Sequence, residues 1–226
     1  MTLRGVTSWQ DVALPLGLKA LHLRGHCNES LAAVSFPCLH ELSLAGDFNR
    51  RLTDVALPQS LRRLSLGPAF RQSLQGINWP DVEVLILGSG HNLKEVQFPK
   101  SLRSLTFLSF DESLEGVCFP PLESLTLGGS FNQSLEKVDL PSSIRSLTFG
   151  AAFNQSLQLV KLPSELQSLS FGDEYNHSLQ GSALQSLLKL CLGTKFQHSL
   201  PELPYIQELS CRGVMVSTSA NVLVEH

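Results

Sequence analysis

The sequence predicts a β-rich solenoid of about ten turns, with one long parallel β-sheet and a back made of extended or 3₁₀ segments. Three observations support this fold class: a repeat of about 21 residues, a strand-like apolar triplet in each repeat, and no helical spacing between triplets. Prolines open successive repeats at Pro15, Pro37, Pro58, Pro80, Pro99, Pro120, Pro141 and Pro163. A unit this short cannot bury its apolar face alone, so the units must stack on one another.

The strand of each turn is predicted from an apolar triplet of the form L-x-x-L-x-L. It is clearest at Leu122, Leu125 and Leu127, and ten copies follow one another, some with another apolar residue at one position. The last two positions alternate with an outward residue, which is the period of a β-strand. We therefore expect ten parallel strands. The proline before each triplet suits a strand start, and the glycine after most triplets lets the chain turn off the sheet.

Two further columns of residues recur behind the strands. The first holds Cys27, Phe48, Phe70, His91, Phe110, Phe131, Phe153, Tyr175 and Phe196. We expect these side chains to pack in the core, because an inward ring at a fixed place in every turn is typical of stacked repeats. The second column holds Asn28, Asn49, Asn92, Asn132, Asn154 and Asn176. It predicts a buried ladder of amides that binds backbone groups left open by the bend.

These motifs resemble those of a known repeat class. The triplet at this period resembles the strand signature of leucine-rich repeats. The recurring Phe-Asn pair, as in Phe131-Asn132 and Phe153-Asn154, together with the Leu-Pro junction, resembles most closely the FNIP (Phe-Asn-Ile-Pro) repeats of protists, although Gln-Ser here usually replaces Ile-Pro. The resemblance spans roughly residues 9–213. It implies a solenoid fold and no particular activity, because the class is defined by packing.

The period predicts one leucine-rich-repeat solenoid over residues 1–213, followed by a tail at 214–226 that could cap it. Residues Trp9–Pro15 match the second half of a turn, so we expect the N-terminal turn to be incomplete. Solenoids need polar caps over their terminal cores, and neither end has an obvious one. A partner subunit of a larger complex could cover an uncapped end.

Composition limits the possible functions. A net charge of −3 argues against a nucleic-acid partner, and no apolar run is long enough to span a membrane. The five cysteines are far apart, and no apolar signal stretch opens the chain, so we expect an intracellular, cytoplasmic protein. We find no catalytic motif and expect no enzyme, cofactor or metal site. His22, His26, Cys27, Cys38 and His40 are dense in sequence, but the repeat register scatters them.

The outward strand positions are the candidate binding face. Two ranks of hydroxyls occupy it, at Ser104, Thr106, Ser124, Thr126, Ser146, Thr148, Ser168 and Ser170. They could form a hydrogen-bonding platform for a peptide, or only a soluble, β-compatible surface. A candidate basic patch, which could meet an acidic partner, consists of Arg50, Arg51, Arg62, Arg63 and Arg71.

Two functions follow from this face. The sequence favours a binding module or scaffold that holds another protein on the sheet. The alternative is a flat Ser/Thr-ranked solenoid that binds an ordered surface such as ice or a polysaccharide. Short turns near Pro80 and Gln185 would interrupt such a lattice and count against this alternative.

Overall fold

Eleven parallel strands form one sheet, in the order of the sequence. They come from a computed structural model that describes residues 1–9, 12–88 and 91–211. The strands are β1 (Thr2–Arg4), β2 (Ala20–Arg24), β3 (Glu41–Leu44), β4 (Arg63–Leu66), β5 (Val84–Leu87), β6 (Ser104–Phe107), β7 (Ser124–Leu127), β8 (Ser146–Phe149), β9 (Ser168–Ser170), β10 (Lys189–Leu192) and β11 (Glu208–Cys211). The predicted solenoid with one long parallel sheet is confirmed. The predicted tail at 214–226 lies outside the described residues and stays a prediction.

Strands β2–β11 are the ten that the apolar triplets predict, and β1 is an additional one. Leu3 pairs in register with Leu23, so Met1 stands where β2 has Leu21. The strand was missed because only the end of the triplet is present and methionine replaces its leucine. Val6 continues the match, since it is buried and its N–H donates to Cys27 Sγ at 3.3 Å.

Strand register is constant although turn length varies. Leu42 pairs with Leu64, a separation of 22 residues, whereas Leu190 pairs with Leu209, a separation of 19. The short turn at Pro80 also leaves its strands aligned, with Leu85 beside Leu105. The expectation that short turns interrupt the lattice of the sheet is therefore wrong. The difference in length is taken up by the back of the turn.

The back of each turn consists of extended chain and tight turns, and the described residues contain no helix. In the turn that leads to β8, the N–H of Val138 donates to the carbonyl of Leu135 at 3.1 Å, and that of Ile144 to the carbonyl of Pro141 at 3.1 Å. These hydrogen bonds join residues i and i+3 in single turns and not in continuous helices, so the predicted back of extended or 3₁₀ segments in place of α-helices is confirmed. The proline opens the second turn and precedes the strand by several residues, which corrects its assignment to the strand start.

The phenylalanine column packs in the core, as predicted, and forms a continuous stack from Phe110 to Phe196. The rings of Phe110, Phe131 and Phe153 are fully or nearly fully buried, and consecutive centroids are 6.0 Å apart. Tyr175 and Phe196 extend the stack at 6.0 and 6.2 Å. This spacing suits offset stacking of aromatic rings, so each turn positions the ring of the next.

Glycine after the strand serves close approach more than turning. A Cβ at Gly150 would lie 2.4 Å from backbone atoms of Gly128, and one at Gly172 would lie 2.4 Å from the carbonyl oxygen of Gly150. Neither Gly150 nor Gly172 has a positive φ angle. Backbones of consecutive turns touch here, and only glycine leaves room for them.

The asparagine column forms a ladder between turns, but the ladder is not buried. Asn132 Oδ1 accepts the N–H of Asn154 at 2.9 Å, and Asn154 Oδ1 accepts the N–H of Asn176 at 2.9 Å. Asp111 takes the same role toward Asn132 at 2.8 Å. These side chains are half-buried or exposed, because the column lies at the outer edge of the turn. The predicted hydrogen bonds to the backbone are present, and the predicted burial is wrong.

Candidate functional site

The two hydroxyl ranks lie in register on the outward face of β6–β9. Ser104, Ser124, Ser146 and Ser168 are successive partners in the sheet, and so are Thr106, Thr126, Thr148 and Ser170. All eight side chains are half-buried. Neighbouring strands are about 4.8 Å apart and alternate residues along a strand about 6.6 Å apart, so the hydroxyls form a regular grid. We call these eight residues the hydroxyl face.

The hydroxyl face has unused hydrogen-bonding capacity. None of its eight hydroxyls forms a hydrogen bond within the described part of the chain. Serines elsewhere behave differently: the hydroxyls of Ser60, Ser101 and Ser143 each donate to a backbone carbonyl of the preceding turn, at 2.7, 2.9 and 2.7 Å. The hydroxyls of the face are thus available to water or to a ligand, since each can donate and accept.

The face has distinct borders. On the β5 side, Val84 and Ile86 stand in register with Ser104 and Thr106 and replace the hydroxyls with aliphatic groups. On the other side, Lys189 and Cys191 of β10 stand beside Ser168 and Ser170. The ammonium of Lys189 forms an ion pair with Glu208 at 2.5 Å, and this hydrogen bond raises the pKa of the lysine.

A row of charged residues precedes the strands and borders the face along its edge. Arg103 Nε lies 3.6 Å from Glu123 Oε1, and Arg62 Nε lies 3.6 Å from Glu83 Oε1. These exposed pairs form the ladder between turns that alternating charges in one column favour. Arg145 belongs to the same column, but its side chain has no hydrogen bond or ion pair with any described residue.

The structure separates the five arginines of the candidate basic patch. Arg62 and Arg63 lie where β4 begins, whereas Arg50, Arg51 and Arg71 follow the ends of β3 and β4. Two of them are engaged by backbone: Arg50 Nε donates to the carbonyl of Asn28 at 2.7 Å, and Arg62 Nη1 donates to that of Gln59 at 2.8 Å. The patch is two groups at opposite ends of a strand.

Histidines and acids outside the face pair locally. His26 Nδ1 lies 3.1 Å from Asp47 Oδ2, and the N–H of Cys27 donates to Asp47 Oδ1 at 2.8 Å. The hydrogen bond from His26, followed by that from Cys27, lowers the pKa of Asp47. His177 and His198 each bond through Nε2 to a carbonyl of the preceding turn. No group of three or more potential metal ligands occurs among the described residues.

One pocket was not foreseen from the sequence. It has a volume of about 290 Å³ and lies between the turns that follow β6 and β7. Ser113, Glu115, Gln133, Ser134, Glu136 and Lys137 line it. Ser113 and Ser134 accept the N–H groups of Glu115 and Glu136 at 3.1 and 3.2 Å, so both serines stabilise the loop itself. The same polar residues recur in most turns, and nothing in the pattern marked this pair.

Comparison with known proteins identifies the repeat. The FNIP repeat family matches three overlapping segments, residues 110–152, 131–174 and 153–195. These segments contain Phe110, Phe131, Phe153 and Tyr175 of the aromatic stack, and the amide ladder described above. Residues 110–195 of the chain therefore match FNIP-type repeats, within a leucine-rich-repeat-like solenoid. The resemblance read from the Phe-Asn pairs is thereby confirmed.

A solved structure agrees with the fold of this FNIP-repeat chain. CroV588, described as a novel circular LRR protein, aligns with a TM-score of 0.55 and 24% sequence identity. The alignment covers 93% of this chain and 42% of that one, so the chain spans about two fifths of the length of CroV588. At this identity the likeness shows the fold alone. No curated protein matches the sequence.

Repeat solenoids of this class present extended surfaces that generally bind proteins. Searching the described residues for a helix long and apolar enough to cross a membrane finds none.

Proposed function

We propose that this chain is a non-enzymatic binding module or scaffold that holds another protein on the hydroxyl face. The observation that carries the proposal is the set of eight registered, half-buried hydroxyls that form no hydrogen bond with any described residue. Hydroxyl groups that are not used in hydrogen bonds of the fold remain free to bind a ligand, and a rigid sheet keeps them in position.

Substitutions at the centre of the hydroxyl face test the proposal most directly. Thr126 and Thr148 are direct partners on β7 and β8, about 5 Å apart, so one bound segment can contact both. Central, desolvated positions contribute most of the binding energy of an interface, and a buried unpaired charge there is costly. The double variant Thr126→Asp, Thr148→Asp should therefore lose its partner and keep its melting curve.

The experiment compares native-lysate capture by the wild type and by the variant, read by quantitative mass spectrometry. A protein that the wild type enriches and the threonine variant does not is the expected result. The matched comparison is Arg50→Glu with Arg63→Glu. If those changes eliminate capture and the threonine changes do not, the partner docks on the N-terminal arginines and the proposal is wrong.

The constant register gives the ordered-surface alternative one supporting observation. The rows of hydroxyls continue without a slip across β6–β9, as binding to ice or a polysaccharide would require. The rows end at Val84 and Ile86 on one side and at Lys189 on the other, which limits the lattice to four strands. Ice recrystallisation and polysaccharide pull-down assays with the same threonine variant separate the two functions.

The remaining expectations belong to the same proposal. We infer one solenoid domain over residues 1–213, an intracellular, cytoplasmic location and a protein partner that could also cover an end of the solenoid. The described cysteines are all free thiols, which supports a reducing compartment. Fractionation of cells that express the tagged chain tests the location.

A further inference from the structure

The hydroxyl face carries an aliphatic border that the fold does not use. Val84 and Ile86 project from β5 and are only half-buried, whereas the outward residues of β3, β4 and β6–β9 are polar. Both lie in register with the hydroxyl ranks, through Ser104 and Thr106. Two adjacent aliphatic groups on an otherwise polar face are suited to cover one aliphatic side chain of a partner.

Arg145 provides a charge at the other end of this surface. It immediately precedes Ser146 of β8, and its guanidinium has no partner among the described residues. Arg62 and Arg103, in the same column, are each held by a glutamate at 3.6 Å and by backbone carbonyls. The two engaged arginines stabilise neighbouring turns, whereas Arg145 is free to bind a carboxylate, for which its planar fork is well suited.

The distance between the two features sets the length of the ligand. Strands β5 and β8 are three strand spacings apart, which is about 14 Å. Extended peptide rises about 3.3 Å per residue, so about four residues cross that distance. The hydroxyls between the features can donate to and accept from the exposed backbone of such a peptide. They carry no charge that would repel a carboxylate.

We infer that the face binds an extended acidic peptide segment of a protein partner. An aliphatic side chain of the segment covers Val84 and Ile86, and a carboxylate about four residues away pairs with Arg145. This inference rests on the proposed function and specifies the chemistry of the partner. The positive charge of Arg145 favours an acidic segment over a neutral or basic one.

A random peptide display library, selected on the full chain, tests the inference without knowledge of the natural partner. The expected result is enrichment of peptides with Asp or Glu about four positions from Leu, Ile or Val. Synthetic copies of the selected peptides are then titrated by fluorescence polarisation. Arg145→Gln should weaken their binding about tenfold, which is the loss of one charge-assisted contact, whereas Arg145→Lys should restore part of it.

Two further variants make the test specific. Val84→Ser with Ile86→Thr extends the hydroxyl rows into β5 and should abolish the preference for an aliphatic residue while the preference for an acid remains. Lys161→Gln makes the same change of charge at an exposed position on the back of a turn, away from the face and from the arginine patch, and should leave binding unchanged. Melting curves of all variants confirm that each one folds.

The outcomes distinguish the inference from the function on which it rests. If the selected peptides do not bind the variant Thr126→Asp, Thr148→Asp but bind Arg145→Gln as tightly as the wild type, the acidic-segment inference is wrong and the hydroxyl face remains the binding site. Selection of basic or uncharged peptides would also overturn the inference. If no peptide is enriched, or if binding ignores the threonine changes, both the inference and the hydroxyl face as a peptide-binding site are wrong.

Discussion

Truncation of Phe153 to alanine tests the core of the solenoid directly. The ring is fully buried and lies 3.9 Å from the ring of Phe149 between centroids. It is also 6.0 Å from Phe131 and Tyr175 and 6.4 Å from Phe171. The substitution therefore removes a ring that contacts three successive turns of the stack.

The expected loss of stability is about 4 kcal/mol. Burial of an aromatic side chain removes about 150–250 Å² from water, at about 25 cal/mol per Å². That product is about 4–6 kcal/mol, of which the remaining alanine keeps a part. The cavity adds to the loss, because backbone contacts between consecutive glycines restrict collapse of the turns, and measured Phe→Ala costs are about 3–5 kcal/mol.

Urea denaturation of Phe153→Ala, followed by circular dichroism and by tryptophan fluorescence, measures the loss. Two signals are needed because stacked repeats can unfold in parts. Ser146→Ala is the matched control in the same turn, since its side chain faces outward and should change stability by less than about 0.5 kcal/mol. A loss below about 1 kcal/mol for Phe153→Ala, or equal losses for the two variants, would refute the assignment of inward and outward faces.

Three further substitutions test single features of the stack. Tyr175→Phe should stabilise the protein by about 1–2 kcal/mol in urea, because the hydroxyl is buried with no hydrogen-bond partner among the described residues, and this burial raises its pKa. Destabilisation would indicate a partner for the hydroxyl. Burial lowers the pKa of His91, so the unfolded chain binds its proton more readily and stability should fall as pH drops below about 6.5. His91→Phe should reduce that slope in melts across pH 5–8, and an unchanged slope would contradict a neutral buried imidazole. Gly150→Ala should cost about 1–3 kcal/mol, since its Cβ would lie 2.4 Å from Gly128 backbone, whereas Gly129→Ala, with open space, should cost less than about 0.5 kcal/mol; similar melting temperatures would show that the turns do not touch there.

The repeat made most of the fold predictable. A leucine at a fixed place in every turn must point into the core, so ten strands and their register followed from counting. Strand β1 was not predicted from the sequence, because only the end of its apolar triplet, at Leu3, is present. The tight turns of the back recur at the same columns, as from Leu135 to Val138 and from Leu157 to Val160, but the apolar pattern did not specify their type. The glycine at 150 was expected for its conformation, and its role in close approach needs the coordinates of the preceding turn.

The sequence was enough to predict where the candidate face lies, but not which of its side chains form hydrogen bonds or ion pairs. Alternation alone places Thr126 and Thr148 outward, and the structure adds that their hydroxyls have no partners within residues 1–9, 12–88 and 91–211. Sequence could not show which of Arg103 and Arg145 pairs with Glu123, because this glutamate lies between them in the column. Glu123 can form an ion pair with the arginine of either neighbouring turn, and only the structure shows that it pairs with Arg103. The binding role of these residues stays a prediction.

Constant register with variable turn length has a consequence for how such chains diversify. Because Leu42 and Leu64 stay aligned across 22 residues, and Leu190 and Leu209 across 19, residues can be gained or lost behind the sheet without displacing a side chain on its front. Mutation can therefore reshape the rear contour of the molecule while the outward face of the sheet keeps its spacing. The two sides of one polypeptide are free to evolve at different rates.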